Sequence, residues 1–333
     1  MSAGVGIVGL GFMGRTHARA YLKYGARLEA VCDPNVDAMG SSSGNFESQP
    51  SEQELDLSGA MVNASLDEML ATPGLELVSV CTPTDTHVAV AVAALRAGKH
   101  VLVEKPVALA PDAIEQLASV AQQHGRLCMP AMCMRFWPAW SWVKRAIDNR
   151  RFGGVRTLRL ERIGPAPDWN SAFYTDESRS GGALFDLHIH DTDFIVHALG
   201  LPNAVCSAGT TRHLSTSYRY DAGSPNVSAQ GGWVDAPDFA FRMRMLVEFE
   251  NAVADFDLGR TPELEVHHKD GSSTVPDLEP GTGWEHQIGA MLAAVKSGEK
   301  VAPATLEQAA AVTHVLLAER KSLRAGDWIA VGR

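Results

Sequence analysis

Val5-Gly6-Ile7-Val8-Gly9-Leu10-Gly11-Phe12-Met13-Gly14 is the stretch on which the reading of this fold turns. A short apolar run ends in glycines at 9, 11 and 14. A helical pattern follows from Thr16 to Tyr24, then a second apolar run, Leu28-Glu29-Ala30-Val31-Cys32, closes on Asp33. The order is strand, tight turn, helix, strand, with an acid about twenty residues past the glycines, as a dinucleotide-binding unit requires. Gly9 permits the sharp turn, Gly11 lets the backbone approach a pyrophosphate, and Gly14 lets the helix lie close on the sheet. Backbone N–H groups at the helix start, at Phe12, Met13 and Gly14, attract the phosphates. Asp33 accepts hydrogen bonds from the adenosine ribose and repels a 2′-phosphate. A nicotinamide or flavin dinucleotide is therefore expected, with nicotinamide preferred: NAD is the expected cofactor and NADP the alternative.

Outward from this stretch the pattern first weakens. Gly40 to Gly44 and the polar residues to Gln53 read as a surface loop where a second crossover helix would normally lie. Ser65 and Glu68 have capping-box spacing at the head of a short helix. Leu75 to Cys81 reads as a buried strand ending at Thr82-Pro83, and Thr86 to Ala97 as an alanine-rich helix stopped by Gly98. His100 to Val103 is a further strand, ending at Glu104-Lys105-Pro106. A capped helix over about Asp112 to Gln123 and the run Leu127-Cys128-Met129 complete the series. Strands alternating with helices mean a doubly wound parallel sheet, whose ligands lie beyond the carboxyl ends of the strands. That rule places the glycine turn, Asp33, Thr82, Pro83, His87, Glu104, Lys105 and Pro106 along one edge as the cofactor-binding set.

Past residue 130 the periodicity changes to two. Phe239, Phe241, Met243, Met245, Val247 and Phe249 alternate with Arg242, Arg244 and Glu248. Glu250-Asn251 is a turn, and Ala252 to Gly259 returns as a second strand. Val155 to Ile163, Ala204 to Thr211 and Leu264 to His268 are further strands, whereas Thr216 to Gly232 reads as a long Gly/Ser/Asn-rich loop. Helices at Glu285–Ser297 and Leu306–Ala325 close the chain. The expected fold class is α/β: a Rossmann domain over residues 1–129, then an α+β domain over 130–333 with a large, mainly antiparallel open sheet. One face of that sheet is covered, and the other meets solvent or a second subunit.

A second constellation lies in Gly181-Gly182-Ala183-Leu184-Phe185-Asp186-Leu187-His188-Ile189-His190-Asp191-Thr192-Asp193. Read as one helix ended by Gly200 and Pro202, it sets Asp186, His190, Asp193 and His197 within about 60° of each other. Carboxylates and imidazoles on one stripe of an otherwise apolar helix are costly unless they face a pocket, each other or a ligand. His188 and His190 point about 160° apart on a helix, so no metal site is expected there. His188, His17 and the pair His267-His268 are read as structural.

Composition narrows the classes. At 333 residues, two domains are the natural prior. The formal net charge of −10 disfavours nucleic acid and anionic membrane as partners. Five cysteines, at 32, 81, 128, 133 and 206, are scattered and lack C-x-x-C spacing, which fits a reducing compartment. The N-terminal apolar run is broken by glycines with no basic segment ahead of it, so it reads as a strand and not a signal peptide. A cytoplasmic protein is expected.

Gly9-x-Gly11-x-x-Gly14, Thr82-Pro83-Thr84-x-x-His87, Glu104-Lys105-Pro106 and Gly181-Gly182-x-x-x-Asp186-x-x-x-His190-x-x-Asp193, in this order, resemble the Gfo/Idh/MocA family. The resemblance runs through most of the chain, including the closing helix. It implies an NAD(P)-dependent dehydrogenase acting on a hydroxyl-bearing carbon of a sugar or cyclic polyol. By the same resemblance Lys105 stands beside the nicotinamide and the reacting hydroxyl, His190 is the general acid/base, and Asp186 orients the substrate. This agrees with alcohol oxidation, which needs a base near neutrality and a cation beside the developing alkoxide. Asp193 and, by residue type, Trp169 are further substrate-contact candidates. The resemblance also implies a homodimer or homotetramer formed through the C-terminal sheet. Two other uses of the same parts are a redox-neutral reaction, with transient oxidation that permits elimination or glycoside cleavage, and a non-catalytic dinucleotide sensor.

Overall fold

Six short strands build the first sheet: β1 (Gly4–Val8), β2 (Arg27–Cys32), β3 (Met61–Asn63), β4 (Leu77–Val80), β5 (His100–Val103) and β6 (Cys128–Pro130). β1 and β4 are buried along their whole length, as strands covered on both faces must be. The computed structural model describes residues 2–34, 55–167, 171–221 and 225–332. The loop expected at 40–53 and the Trp169 candidate therefore lie outside the described residues. The sheet order is β3-β2-β1-β4-β5-β6 with every pair parallel. Connections pass through α1 (Phe12–Lys23), α2 (Leu66–Leu70), α3 (His87–Arg96) and α4 (Pro111–His124). The order reverses between β1 and β4, so the carboxyl ends of these two strands border the crevice where such sheets bind ligands. This is the expected doubly wound sheet.

Ser65 departs from expectation. It precedes α2 with extended backbone but its side chain makes no capping hydrogen bond. Its carbonyl accepts the Met69 N–H instead. A helix of five residues has little to gain from a full capping box.

The chain divides into two compact units, one holding Met1–Cys133, Trp169–Phe173 and Gly283–Ala310, the other Met134–Asp168, Tyr174–Thr282 and Ala311–Arg333. The second unit carries α5 (Pro138–Asp148), β7 (Val155–Pro165), α7 (Glu177–Ser180) and α8 (Ile189–Leu199). The one-turn α6 (Ser171–Tyr174), ahead of α7 in the chain, belongs to the first unit except for its last residue. Strands β8 (Ala204–Gly209), β9 (His213–Arg219), β10 (Asn226–Val234), β11 (Arg242–Phe249), β12 (Ala252–Asp257), β13 (Leu264–His268) and β14 (Ser273–Thr274) follow. Helices α9 (Gly283–Ser297) and α10 (Leu306–Ala325) and the two-residue β15 (Ile329–Ala330) close the chain. The second sheet runs β14-β13-β12-β11-β7-β10-β9-β8-β15, antiparallel throughout except for the parallel pair of β7 and β10.

The segment Thr216 to Gly232, expected as a loop, contributes most of β9 and all but the end of β10. Its Ser, Asn and Gly residues suppress the strand signal, yet Leu214, Thr216, Tyr218, Val227 and Ala229 alternate as buried positions. Pairing on both sides decides the outcome: β10 is bonded to β7 and to β9. The neighbouring alternation also begins later than the pattern suggests, at Arg242. Among the described residues no helix is long and apolar enough to cross a membrane.

Candidate active site

In the first unit the glycine turn is shaped as the sequence requires. Gly9 has φ +88°, where a side chain would be strained, and a Cβ there would lie 2.7 Å from the Cys81 carbonyl oxygen. A Cβ on Gly14 would strike the Gly9 carbonyl, so only glycine lets α1 sit this close to β1. Gly11 differs, because a Cβ there would meet nothing within 4 Å. It forms the N-cap of α1, with no side-chain cap and no acidic residue in the first turn. The first turn of this twelve-residue helix thus carries no capping or acidic side chain that competes for its leading N–H groups. That combination fits a pyrophosphate.

Asp33, at the end of β2, is 9% exposed and its Oδ2 accepts the Leu10 N–H at 2.8 Å. The carboxylate is therefore oriented by the glycine turn itself. Phe12 meets the Trp284 ring edge-on, with centroids 6.2 Å apart, because α9 returns to pack on α1. Lys23 and Glu285 pair at 2.7 Å across the same two helices.

The Thr82–His87 and Glu104–Pro106 segments are tied together by His87, which is 1% exposed. Its Nε2 lies 2.7 Å from the Thr82 carbonyl oxygen and its Nδ1 2.9 Å from the Pro106 carbonyl oxygen. Two carbonyls need two N–H donors, which only the charged ring supplies. Burial nevertheless pulls the His87 pKa below the ordinary histidine value, with the Lys105 charge adding to it, while the two carbonyls and Glu104 pull the other way. The neutral ring keeps one of the two bonds. Glu104 is 5% exposed. Its N–H bonds the Val80 carbonyl, and its Oε2 accepts the Lys105 N–H at 3.0 Å. Gly9, Gly11, Phe12, Met13, Gly14, Asp33, Thr82, Pro83, His87, Glu104, Lys105 and Pro106 thus all fall just past the carboxyl ends of strands in one sheet, in the turns that follow them or in the first turn of the next helix.

In the second unit, Gly181 and Gly182 have φ of +75° and +69°, and a Cβ on Gly182 would lie 3.1 Å from the Thr211 carbonyl oxygen. The backbone there lies close against the loop leading into β9. The next turn, Leu184–His188, is a π-helix, and α8 begins only at Ile189. A π-turn shifts the residues on either side of it around the helix. The 3.6-residue wheel therefore does not hold across Asp186 to His190.

Burial separates the polar residues of this segment. Asp186 and His190 are half-buried. His188, Asp191, Thr192 and Asp193 are at most 1% exposed. Asp193 gives both carboxylate oxygens to Arg135, with Nε at 3.1 and 3.0 Å and Nη2 at 2.6 Å. Its reading as a substrate contact gives way to a structural one, because neither oxygen faces out. Asp191 Oδ1 pairs with Arg162 at 2.8 Å. His188 lies 3.1 Å from Glu319 of α10 and 3.2 Å from the Tyr218 hydroxyl, and Thr192 reaches both of those residues. His188 is thus part of a buried polar network and not apolar packing. Burial also pushes His197, near the end of α8, down to about 4, helped by the Arg135 charge.

Arg135, Arg162 and Glu319 were not legible as site supports in the sequence. One signal was available: a single arginine at 135 within the apolar run Leu127 to Trp137 marks a charge with a buried partner.

A family model described as "Oxidoreductase family, NAD-binding Rossmann fold" matches residues 3–132, and one described as "GFO/IDH/MocA C-terminal domain" matches 140–272. UDP-N-acetylglucosamine 3-dehydrogenase of Acidithiobacillus ferrooxidans is 28% identical over 284 residues, 83% of this chain and 80% of the relative. Inositol 2-dehydrogenase of Rhizobium meliloti is 25% identical over 324 residues, 91% of this chain and 92% of the relative. Among solved structures, a levoglucosan dehydrogenase in complex with NADH and levoglucosan superposes with a TM-score of 0.82 at 19% identity, all of both chains being covered. That likeness establishes the fold.

Proposed function

The chain belongs to the GFO/IDH/MocA family of NAD-binding oxidoreductases, and from that premise we propose that it oxidises a secondary hydroxyl of a sugar, cyclic polyol or related derivative. The relatives named for inositol and for a nucleotide-linked amino sugar support this substrate class. Residues 1–129 are assigned to the cofactor and residues 130–333 to substrate and subunit contacts. The observation that carries the reading is the sorting of polar groups around α8. His188, Asp191, Thr192 and Asp193 are buried, and the half-buried Asp186 and His190 remain at the head of the helix.

In this reading bound nicotinamide supplies the hydride acceptor. His190 takes the hydroxyl proton at an imidazole nitrogen. The Lys105 ammonium stabilises the developing negative charge on the substrate oxygen. Asp186 accepts a hydrogen bond from a substrate hydroxyl and fixes its orientation. Asp33 receives the adenosine ribose and sets the preference for NAD over NADP. Arg135 and Asp193 hold the helix that carries His190. The sheet face that carries Arg244, Leu246 and Glu248 is assigned to contacts between copies of the chain, checked by sedimentation of the purified protein.

The test is absorbance at the reduced-nicotinamide band, with NAD or NADP and a panel of inositols, aldoses and sugar acids. A rise with one substrate class supports the dehydrogenase. Substrate turnover without net reduction of the cofactor points to the redox-neutral reaction instead. Tight NAD binding without any turnover across the panel points to a sensor.

A further inference from the structure

His17 lies outside every motif that carries the family resemblance, yet it is fully buried at the back of the Glu104–Pro106 turn. It projects from α1, the helix that opens at the glycine turn, toward the ends of β4 and β5. Its Nδ1 lies 3.1 Å from Ser79 Oγ on β4, and that hydroxyl lies 2.9 Å from the Tyr21 hydroxyl, again from α1. Its Nε2 lies 3.0 Å from Glu104 Oε1. The N–H is not aimed along that line, so the contact with Glu104 is Coulombic more than directional. The other Glu104 oxygen holds the backbone N–H of Lys105. Tyr21, Ser79, His17 and Glu104 thus form a buried chain that ends on the lysine's own backbone.

A fully buried imidazole is costly to desolvate and is retained where its contacts matter. The donor order is self-consistent: Tyr21 O–H to Ser79 Oγ and Ser79 O–H to His17 Nδ1, which leaves the ring proton on Nε2, the nitrogen 3.0 Å from Glu104 Oε1. Burial raises the Tyr21 hydroxyl, despite its Ser79 hydrogen bond, and so keeps it a donor. Burial also works to raise the Glu104 carboxyl. The His17 contact, the Lys105 charge and the Lys105 N–H overcome it and hold the carboxyl below the ordinary glutamate value. Glu104 is therefore an anion fixed behind the lysine. The titratable groups around His17 are Tyr21, Cys81 (Sγ 3.5 Å from Nδ1) and Glu104. Those acting on Glu104 and on His87 across the turn include Lys105 itself.

We propose that His17 is a positioning residue for Lys105, acting through Glu104: it fixes the carboxylate that fixes the lysine's backbone and electrostatic surroundings. This rests on the reading of Lys105 as the cation beside the reacting oxygen. Without His17 the Glu104 carboxylate loses its buried counterpart, takes up a proton more readily, and turns away from the Lys105 N–H. The lysine then loses both its aim and the anion that favours its charged form.

Three variants test the proposal: His17→Phe, His17→Gln, whose amide can still reach Glu104, and Glu104→Gln, which keeps an acceptor for the Lys105 N–H but loses the charge. Turnover, NADH affinity by fluorescence, and the pH midpoint of Lys105 labelling by an amine-reactive reagent, read by peptide mass, are measured on each. Turnover is expected to fall on the order of 10- to 100-fold in His17→Phe, with NADH affinity within about threefold. His17→Gln recovers part of the loss. The labelling midpoint moves to lower pH in Glu104→Gln and, by less, in His17→Phe. A merely structural histidine would lower thermal stability and leave the labelling midpoint of the folded protein unchanged. Should His17→Phe fail to fold, the midpoint in Glu104→Gln and His17→Gln still decides. Midpoints equal to the parent's in every folded variant overturn the proposal. Lys105→Ala, run alongside, separates the two ideas: full turnover in that variant would overturn the functional reading, whereas labelling in the other variants tests the positioning claim independently of turnover.

Discussion

Arg135 and Asp193 form a closed ion pair in which both carboxylate oxygens face one guanidinium, with the two side chains 4% and 1% exposed. The pair ties the segment leading into α5 to the middle of α8, three residues past His190. Its desolvation cost is offset only while both partners remain. Removing the arginine leaves a buried, uncompensated carboxylate. Arg135→Met should therefore destabilise the fold by about 3–5 kcal/mol. The double variant Arg135→Met/Asp193→Leu should recover most of that loss. Urea unfolding of the parent, the single and the double variants gives the numbers. A single variant as stable as the parent would show that the pair is not carrying the helix.

Asp33 has two tasks that one substitution will separate. Its Oδ2 holds the Leu10 N–H at 2.8 Å, and in the proposed reading the carboxylate also receives the ribose hydroxyls. Asp33→Ala should weaken NAD binding roughly 10- to 100-fold, the range for a lost hydrogen bond to a charged group. NADP should lose much less, because the repulsion of its 2′-phosphate goes at the same time. The ratio of the two dissociation constants, measured by fluorescence titration with NADH and NADPH, is the readout. An unchanged ratio would remove Asp33 from the choice of cofactor.

The proposed division of labour among Lys105, His190 and Asp186 gives three distinct kinetic signatures. Lys105→Ala should cost roughly 10²- to 10³-fold in turnover, the size of a lost electrostatic stabiliser, and leave NAD affinity close to the parent's. His190→Ala should cost roughly 10²- to 10⁴-fold, as for a lost general base, and should regain activity when imidazole is added. Asp186→Asn should act on KM as well as kcat, since it orients the ground state and the transition state alike. Steady-state kinetics with the substrate found in the panel distinguishes them. Full activity in His190→Ala would assign the proton transfer elsewhere.

The first sheet was legible because its signals are local. The glycine turn, Asp33 and the buried runs at Leu75–Cys81 and His100–Val103 each stand within one strand–turn–helix unit. The strands β9 and β10 were not legible, since their Ser, Gly and Asn residues become a strand only by pairing with β7 and with each other. The polar stripe was half legible. Asp186 and His190 stood out by type and spacing, but the wheel assumed an unbroken α-helix. The π-turn at Leu184–His188 breaks that assumption. Which polar residues are buried depends on Arg135, Arg162 and Glu319, and these come from distant parts of the chain. No sequence spacing records that meeting.

His197 provides a test of the buried end of α8 that needs no substrate. Burial, with the Arg135 charge beside it, lowers its pKa from 6.5 to about 4 in the folded protein. In the unfolded chain the same group titrates near 6.5. Between about pH 6.5 and about pH 4 the unfolded state therefore binds a proton that the folded state refuses, so stability falls as the pH drops through that window. Above it, the group contributes no slope. His197→Gln removes this term. The stability of the parent relative to the variant should decline as the pH is lowered from about 6.5 to about 4, and then level off. Urea unfolding of both proteins at several pH values across that window measures the difference. A difference that stays constant with pH would mean that the imidazole is hydrated in the folded protein, and the packing assigned to the end of α8 would be wrong.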